Sequence, residues 1–320
     1  MATKSHTHQR TGRLIGARER LEELLSNRKV MATLTVVPVS LLFILIVASP
    51  ILWAIIASFY EIPAFSPQWE WVGLENYSRV IQDPMLWSSL SRNLVFAVGT
   101  ALLNTVFGVT VALLLNREFK LKRFTLPIAL VPYLIPTAFL SFIALWMSSQ
   151  QWGVINQLLL LLGVINADGM IAWFTGNQSL AMFSLILTHS WKYSIFVAIL
   201  VLSKLQSIPD DIYEAAQMSG ASRYQQFRDI TLPNIINILA IVVLLRGVWN
   251  FNKFDIIWIL TRGGPGDGTT TIPVYAYEMA FQFNSLGRAA AISVLLFGLL
   301  SVVAAFYFHI AEPSKEVRVE

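Results

Sequence analysis

Six long apolar segments constrain the fold of this 320-residue sequence more than any other feature. An α-helix needs about 20 mainly apolar residues to cross the core of a bilayer, and each segment reaches that length. The sequence therefore predicts an all-α integral membrane protein with six transmembrane helices. The predicted spans run from about Met31 to Phe59, Leu94 to Leu115, Thr125 to Trp146, Leu180 to Leu202, Ile235 to Leu260 and Ala289 to Ile310.

The composition supports this class and excludes several others. Charged residues make up 13% of the chain and apolar residues 55%, whereas a soluble domain carries about 25% charged residues. This balance excludes disorder, a nucleic-acid-binding domain and a disulfide scaffold. The sequence has no cysteine, so it has neither thiol catalysis nor thiolate metal sites. The first apolar segment is longer than the core of a signal peptide, so we interpret it as a span.

The positive charges predict the orientation in the membrane. Of the 23 Lys and Arg residues, sixteen lie in 1–30, 117–124, 204–233 and 311–320, and four lie in the intervening segments. Lys and Arg are concentrated in cytoplasmic loops. We therefore expect a multi-pass protein of the cytoplasmic (inner) membrane with both termini in the cytoplasm. The expected organisation is a basic amphipathic tail at 1–30, a six-helix transmembrane domain at 31–310 and a C-terminal tail at 311–320.

The N-terminal tail contains a candidate amphipathic helix. Leu14, Leu21, Leu24 and Leu25 are at helical spacing with Arg and Glu between them. This pattern favours a helix at the membrane interface that leads into the first span. A helix that docks on a partner is the alternative.

The loop between the fourth and fifth spans, 204–233, has signals of regular structure. Pro209 can begin a helix, and the three acidic residues that follow it favour the positive end of the helix dipole. Gly220 can end or turn that helix, because glycine tolerates the left-handed conformation. A second short helix is predicted from about 223 to 230, with Pro233 as its stop.

This loop resembles the EAA loop of permease subunits in binding-protein-dependent ABC importers. The family has Asp before the glycine where this chain has Ser219, which weakens one capping contact at most. The matching residues are Glu214, Ala215, Ala216, Gly220, Ala221, Phe227, Ile230, Leu232 and Pro233.

Two further segments resemble the carbohydrate branch of the same family. The segment Phe254 to Thr271 resembles its LT-x-GGP motif, and Trp71 to Tyr77 resembles a motif of its first external loop. The order of segments is similar to the maltose and glycerol-phosphate type, from about residue 30 to 310. The glycine-rich turn lacks the Lys-Ser/Thr of a phosphate-binding loop. We therefore expect no enzymatic activity and no ATP hydrolysis in this chain.

The resemblance implies a type I ABC importer permease with defined partners. These are a homologous second permease, a dimer of ATPase subunits that binds ATP and Mg, an extracytoplasmic solute-binding protein, and a sugar. The resemblance also implies that Glu214 pairs with a basic residue of the ATPase and that Gly220 lets the loop bend.

Charged residues inside the spans indicate a translocation pathway. A Lys or Arg at mid-bilayer costs about 2.5–3.5 kcal/mol, so such residues are expected to face water. Arg246, Asn250 and Lys253 are spaced to share one helical face, and so are His189, Lys192, Tyr193 and Phe196. By the resemblance, positions 189, 193, 196, 246, 250 and 253 match sugar-contacting positions of maltose-type permeases. His189 has no second ligand at metal-binding spacing, so no metal site is predicted.

The role of these charges has two interpretations. An anionic sugar, such as a phosphorylated sugar, a uronate or a sulfated sugar, would fit a cationic pathway. Alternatively the sugar is neutral and the charges are structural: Lys192 extends to the interface, and Lys253 or Arg246 pairs with Asp255 or with a carboxylate of the partner permease.

Three other functions fit the sequence less well. A permease for a non-sugar solute conflicts with the LT-x-GGP resemblance. A secondary transporter or channel has no use for an EAA loop. An intramembrane enzyme needs a catalytic cluster, and the spans contain neither paired carboxylates nor a Ser and His pair.

Overall fold

A computed structural model describes residues 28–63, 68–117, 120 and 122–311. The predicted amphipathic helix lies in the N-terminal tail, which precedes the described residues almost entirely, and the C-terminal tail beyond residue 311 also lies outside them. Within the described residues, helices predominate. The chain divides into two compact units, and the boundary in the sequence lies between Ala57 and Ser58.

The predicted all-α membrane architecture is confirmed. Among the described residues, five helices are long and apolar enough to cross a membrane, and a bent pair of helices makes a sixth candidate span. The five are Val30–Ala57, Pro84–Asn116, Gln178–Leu205, Arg223–Phe251 and Leu286–Tyr307, and the pair is Arg123–Leu134 with Thr137–Met147.

The described part of the first unit is one interrupted helix. It comprises α1 (Arg28–Phe43), a π-helical turn (Ile44–Ala48) and α2 (Ser49–Ala57). The most apolar 18 residues of this span have no buried member within the chain. A helix that is apolar on all its faces suits a lipid or protein environment.

The second unit begins with a short hairpin and a surface helix. Strand β1 (Tyr60–Glu61) pairs antiparallel with β2 (Glu70–Trp71), and α3 (Glu75–Gln82) follows. Helix α4 (Pro84–Asn116) then begins ten residues before the predicted start at Leu94. The reason is an N-cap: the Asp83 carboxylate accepts a hydrogen bond from the Met85 N–H at 2.8 Å, and Pro84 suits the first helical position.

Helix α4 packs closely against α8 (Gln178–Leu205), the fourth span. Gly108 makes this approach possible, because a Cβ there would lie 2.5 Å from Cβ of Val197. Small residues let membrane helices approach closely. The core between α4, α8 and the fifth span includes Ala112, Leu115, Val197, Ala198, Val201, Ile235 and Val242.

The third predicted span is present as a bent pair of helices and not as one continuous helix. Helix α5 (Lys122–Leu134) and helix α6 (Thr137–Met147) meet at an angle of 94°. Pro136 lies at the bend. It has no N–H to donate, and it disfavours helical geometry in the residue before it, so α5 cannot continue through it. Helix α7 (Val154–Leu161) and a 3-10 turn (Ala167–Gly169) follow.

The fifth predicted span, to Leu260, is also broken. Helix α11 (Leu232–Phe251) ends at Asn252, and helix α12 (Asp255–Thr261) begins three residues later. Lys253 therefore lies in the break. Asn252 provides the C-cap of α11, and Asp255 favours the positive end of α12.

The remaining helices are α9 and α10 of the 204–233 loop, described below, and two at the C-terminal end. Helix α13 (Ile272–Phe281) follows the glycine-rich turn, and α14 (Leu286–Ala311) is the sixth span, within three residues of the prediction. The Tyr275 hydroxyl donates to the Asp83 carboxylate at 2.5 Å, which ties α13 to the start of α4.

Asn76 anchors the segment that resembles the first external loop of the family, and this gives a stability prediction. The side chain is buried, and its amide donates to the carbonyls of Ser58 at 3.0 Å and Tyr60 at 2.9 Å. We expect Asn76→Leu to lower the melting temperature of the purified protein, since each buried group left unpaired costs about 1–3 kcal/mol.

Gln82→Leu is the matched control for Asn76→Leu. Within the described residues the Gln82 amide donates to the Ser78 hydroxyl alone, on the exposed side of the same helix. Its loss should therefore change stability by less than about 0.5 kcal/mol. Equal melting temperatures for the two variants would contradict the anchoring role of Asn76.

Candidate functional site

The ring of Tyr193, on α8, is the centre of a cationic cluster. The Arg246 guanidinium carbon, on α11, lies 4.6 Å from the centroid of this ring, and the Lys253 ammonium lies 4.8 Å from it. The Lys253 ammonium also donates to the Tyr193 hydroxyl at 3.0 Å. Cations are attracted to aromatic faces at such distances. The broken fifth span therefore still brings Lys253 to Arg246.

This cluster lines a cavity of about 520 Å³. Phe196 packs behind the wall, with its ring 5.4 Å from that of Trp249. The cavity thus combines several aromatic faces with two cations and one carboxylate. Its lining residues are Tyr133, Tyr193, Arg246, Trp249, Asn252, Lys253, Phe254 and Asp255.

The two cations of the cavity differ in their partners. The Lys253 ammonium lies 3.6 Å from a carboxylate oxygen of Asp255, so one of the ion pairs considered from sequence is present. Arg246 is 3% exposed, and its Nε and Nη2 have no hydrogen-bond partner within the described part of the chain. Arg246 is therefore a desolvated cation without a carboxylate partner in these residues.

Lys192 does not line the cavity. Its ammonium donates to the carbonyls of Pro132 at 3.1 Å, Tyr133 at 3.5 Å and Ile135. The carbonyl of residue 132 would normally accept from the N–H of residue 136, which is proline. Lys192 supplies that missing donor at the negative end of α5. Its ammonium therefore caps the end of α5 and is not extended to the interface, while its predicted place in the pathway stays a prediction.

His189 and Asn250 lie behind the cavity, in the helix interface. His189 is fully buried, with its ring centroid 4.5 Å from that of Tyr193 and 5.3 Å from that of Phe96. The Asn250 amide donates to the Thr100 hydroxyl at 2.8 Å, which links α11 to α4. The predicted face of α8 therefore divides into Tyr193 at the cavity, His189 and Phe196 behind it, and Lys192 at the bend.

Sequence reasoning missed several residues of the cavity wall. Tyr133, Asn252 and Phe254 line it because the helix breaks carry them there. The Tyr193 hydroxyl also lies 3.2 Å from the hydroxyl of Thr137, beyond the first break. Pro132 and Pro136, on either side of Tyr133, could have indicated a bend in this span. That bend brings Tyr133 to the cavity.

The loop at 204–233 has the predicted first helix and glycine turn. Helix α9 spans Asp210–Met218, and Gly220 follows with φ of 79°. The N–H of Ala221 donates to the carbonyl of Ala216 at 2.9 Å, and that of Gly220 to Gln217 at 2.9 Å. These bonds form a Schellman cap, which requires a left-handed residue at position 220.

The second part of the loop differs from the prediction. Ser222 and Gln225 form a capping box at the start of α10 (Arg223–Gln226). The chain then makes a π-helical turn (Phe227–Thr231) and continues directly into α11. Pro233 does not stop the helix. It occupies one of the first positions of α11, where a proline is tolerated, and the wider π turn before it accommodates the missing N–H.

Helix α9 is anchored on one side and open on the other. The Tyr213 hydroxyl lies 2.9 Å from that of Thr231 in the π turn, and no residue of α9 is fully buried. Of the residues that carry the EAA resemblance, Glu214, Ala215, Gly220 and Pro233 are exposed, and Ala216, Ala221, Phe227 and Leu232 are half-buried. The loop therefore presents an exposed helix, capped at its C-terminal end, that connects to α11 through the Gly220 turn, α10 and the π turn.

The glycine-rich segment is a turn, as predicted. Arg262, Gly263, Gly266 and Asp267 have positive φ. Buried threonines hold the turn, with the Thr269 hydroxyl donating to the carbonyl of Gly264 at 2.8 Å. Burial raises the pKa of the Glu278 carboxyl beside this turn, and the charge of Asp267 raises it further.

Comparison with known proteins identifies the family. Residues 104–314 match the family described as the binding-protein-dependent transport system inner membrane component. The chain belongs to this family. It is an inner membrane permease subunit of an ABC importer, not an enzyme, as the loop resemblance predicted.

Curated relatives match this permease over most of its length. It is 32% identical to the sulfoquinovosyl glycerol transport system permease protein SmoG of Agrobacterium fabrum, over 88% of this chain and 90% of that protein. It is 32% identical to the trehalose/maltose transport system permease protein MalF of Thermococcus litoralis, over 83% and 88%. The inner membrane ABC transporter permease protein YcjO of Escherichia coli is 35% identical, over 88% and 95%.

Solved structures support the type I importer fold of the permease. A chain of a bacterial ABC transporter that imports the acidic polysaccharide alginate aligns with a TM-score of 0.76 and 20% identity, over 94% of this chain and 100% of that one. A second structure, of the alginate transporter in complex with a pentasaccharide-bound periplasmic protein, aligns with a TM-score of 0.75.

Proposed function

We propose that this permease forms half of the translocation pathway of an ATP-driven importer for a sugar or sugar derivative. The observation that carries the proposal is the cavity around Tyr193, where aromatic rings and hydrogen-bonding groups from α5, α8 and the α11–α12 break face the same space. Aromatic faces of this kind stack on sugar rings. The names of the curated relatives, with trehalose/maltose and sulfoquinovosyl glycerol transport among them, agree with this substrate class.

The proposed assembly contains four further chains. A homologous second permease supplies the other half of the pathway, two ATPase subunits bind ATP and Mg, and an extracytoplasmic solute-binding protein delivers the sugar. The excess of Lys and Arg in the 1–30, 117–124, 204–233 and 311–320 segments supports an orientation with both termini and the 204–233 loop in the cytoplasm.

The loop at 204–233 is proposed to couple the permease to the ATPase. Its Schellman cap, its capping box and the Tyr213–Thr231 contact make α9 a rigid body. Through the Gly220 turn, α10 and the π turn, this body is connected to α11, which carries Arg246 of the cavity. A rigid-body movement of α9 on the ATPase would therefore move the cavity wall.

Solute-stimulated ATPase activity of the reconstituted complex tests the proposed function. The complex contains this permease with its second permease, ATPase and binding protein, in proteoliposomes. We expect sugars to stimulate ATP hydrolysis and to be taken up. Stimulation by a non-sugar solute alone, or failure of the permease to co-purify with an ATPase, would contradict the proposal.

Charge reversal at Glu214 tests the coupling. The Glu214 side chain is exposed on α9 and forms no ion pair with any residue that the structure describes. If it pairs with a basic residue of the ATPase, Glu214→Lys places like charges together and should reduce uptake by roughly tenfold or more. Membrane insertion should be normal.

Asp168→Lys is the matched control for Glu214→Lys. It reverses an exposed carboxylate in the 3-10 turn, away from the coupling loop. Its uptake should equal that of the unmodified complex. If both variants, or neither, lose uptake, Glu214 has no specific role in coupling.

A further inference from the structure

We propose that the transported sugar carries one acid group with a single negative charge, a carboxylate or sulfonate, and that Arg246 binds this group against the ring of Tyr193. The inference rests on the proposed function, because it assigns the chemistry of the substrate to the same cavity. Of the two roles considered for the charged residues, the contacts of Arg246 favour binding of an anionic sugar.

The state of Arg246 is the first argument. The guanidinium is almost completely buried, and its Nε and Nη2 lack hydrogen-bond partners in the described ranges. The ring of Tyr193 lies at 4.6 Å and that of Trp249 at 5.9 Å from its central carbon. These faces orient the guanidinium but do not satisfy its N–H groups. Two unpaired N–H donors on one planar group match the two oxygens of a carboxylate or sulfonate.

The charge balance of the cavity is the second argument. Lys253 and Asp255 form a pair at 3.6 Å, and the ammonium of Lys192 is turned to the carbonyls at the end of α5. The cavity lining therefore retains one uncompensated positive charge, that of Arg246. A ligand with one negative charge neutralises it, whereas a phosphate monoester carries about two charges at neutral pH. The balance thus favours a uronate or a sulfonate over a sugar phosphate.

The position of the cations on Tyr193 is the third argument. Arg246 lies over the face of the ring, and Lys253 donates to its hydroxyl. The Tyr193 side chain is therefore fixed at its face and at its hydroxyl. The rings of Trp249, Tyr133 and Phe254 line the same cavity. An acid group at Arg246 would place the attached sugar ring among these aromatic faces, where it can stack.

The competing explanation is a carboxylate of the second permease paired with Arg246. A buried ion pair of that kind is structural, and its loss would disrupt association of the two permeases. The anionic-sugar proposal requires the opposite: assembly should survive replacement of Arg246, and only the response to acidic sugars should change.

The test is the ATPase assay of the reconstituted complex with matched pairs of sugars. Each pair has a hexuronate- or sulfonate-bearing glycoside and its neutral counterpart, and hexose 6-phosphates complete the panel. The variants are Arg246→Gln, Arg246→Lys and Lys253→Gln. Arg92→Gln, which removes a cation of α4 outside the cavity, is the control.

We expect acidic glycosides to stimulate the unmodified complex more than their neutral counterparts and more than hexose phosphates. Arg246→Gln should lower the acidic-to-neutral ratio roughly 10- to 100-fold, the loss expected when a charge-assisted pair is removed. Arg246→Lys should recover only part of it, because an ammonium cannot form the bidentate contact. Lys253→Gln should have a smaller effect, and Arg92→Gln none.

Three results would overturn the inference. The first is stronger stimulation by neutral sugars, with an acidic-to-neutral ratio that Arg246→Gln leaves unchanged. The permease would then still import a sugar, but that sugar would not be anionic. The second is loss of co-purification with the second permease in Arg246→Gln, which assigns Arg246 to a structural pair. The third is stimulation by no sugar of either charge, which contradicts the proposed function as well.

Discussion

Replacement of Lys192 by methionine is expected to destabilise the permease strongly, with a lower melting temperature and a smaller yield of folded protein. The Lys192 ammonium donates to three carbonyls at the end of α5. Methionine fills a similar volume but donates nothing. Each buried carbonyl left without a donor costs about 1–3 kcal/mol, and the membrane interior offers no water to replace the lost bond.

The bend at Pro136 explains why this loss should be large. Helix α5 ends there because residue 136 has no N–H, and the chain turns by 94° into α6. Without Lys192 the carbonyls of the last turn of α5 lose this donor, and the 94° corner is linked to α8 less strongly. Since Tyr133 in that turn and Thr137 beyond it face Tyr193, the cavity wall should be distorted as well.

Lys192→Arg is the control, because a guanidinium supplies donors to the same carbonyls. It should retain more stability than Lys192→Met, although the larger group needs more room. The difference is measured by heating the purified complex to a series of temperatures and then quantifying the remaining folded complex by size-exclusion chromatography. If Lys192→Met has normal stability and a specific loss of uptake, Lys192 is a pathway residue, as the sequence first indicated.

The case of Lys192 shows what the sequence could and could not predict about the site. Helical spacing placed Lys192 and Tyr193 on one face of the fourth span, and this pattern was sufficient to predict them as site residues. Spacing does not reveal what a side chain meets on another helix. The carbonyls that accept from Lys192 are exposed by a bend 57 to 60 residues earlier in the chain, and no local pattern contains that information.

The fold shows the same contrast between local features, which the sequence predicts, and features that it does not reveal. Hydropathy predicted six spans, since 20 apolar residues in sequence are a local property. It did not predict the break at Asn252, because the residues around it include neither Gly nor Pro. In the third span, apolar length alone does not reveal the bend that its prolines introduce. The predicted helix stop at Pro233 was wrong for a related reason: a π turn before a proline removes the clash that the prediction assumed.

Replacement of Gly220 by valine is expected to uncouple transport from ATP hydrolysis, with little effect on membrane insertion. Gly220 has φ of 79°, and a Cβ there would meet no atom within 4 Å. The expected defect is therefore conformational. The left-handed region costs an ordinary L-residue about 1–2 kcal/mol and a β-branched one more. Because 1.4 kcal/mol is a factor of ten, we expect uptake to fall roughly 5- to 30-fold.

Gly220→Asn separates backbone conformation from other effects, because asparagine adopts the left-handed conformation more readily than other side chains. It should keep the Schellman cap between Ala216 and Ala221 and most of the uptake. The measurements are sugar uptake and sugar-stimulated ATPase activity in proteoliposomes at equal permease content. Equal losses in the two variants would mean that α9 needs open space at position 220 when docked on the ATPase. Full uptake in Gly220→Val would mean that the turn between α9 and α10 does not transmit the movement at all.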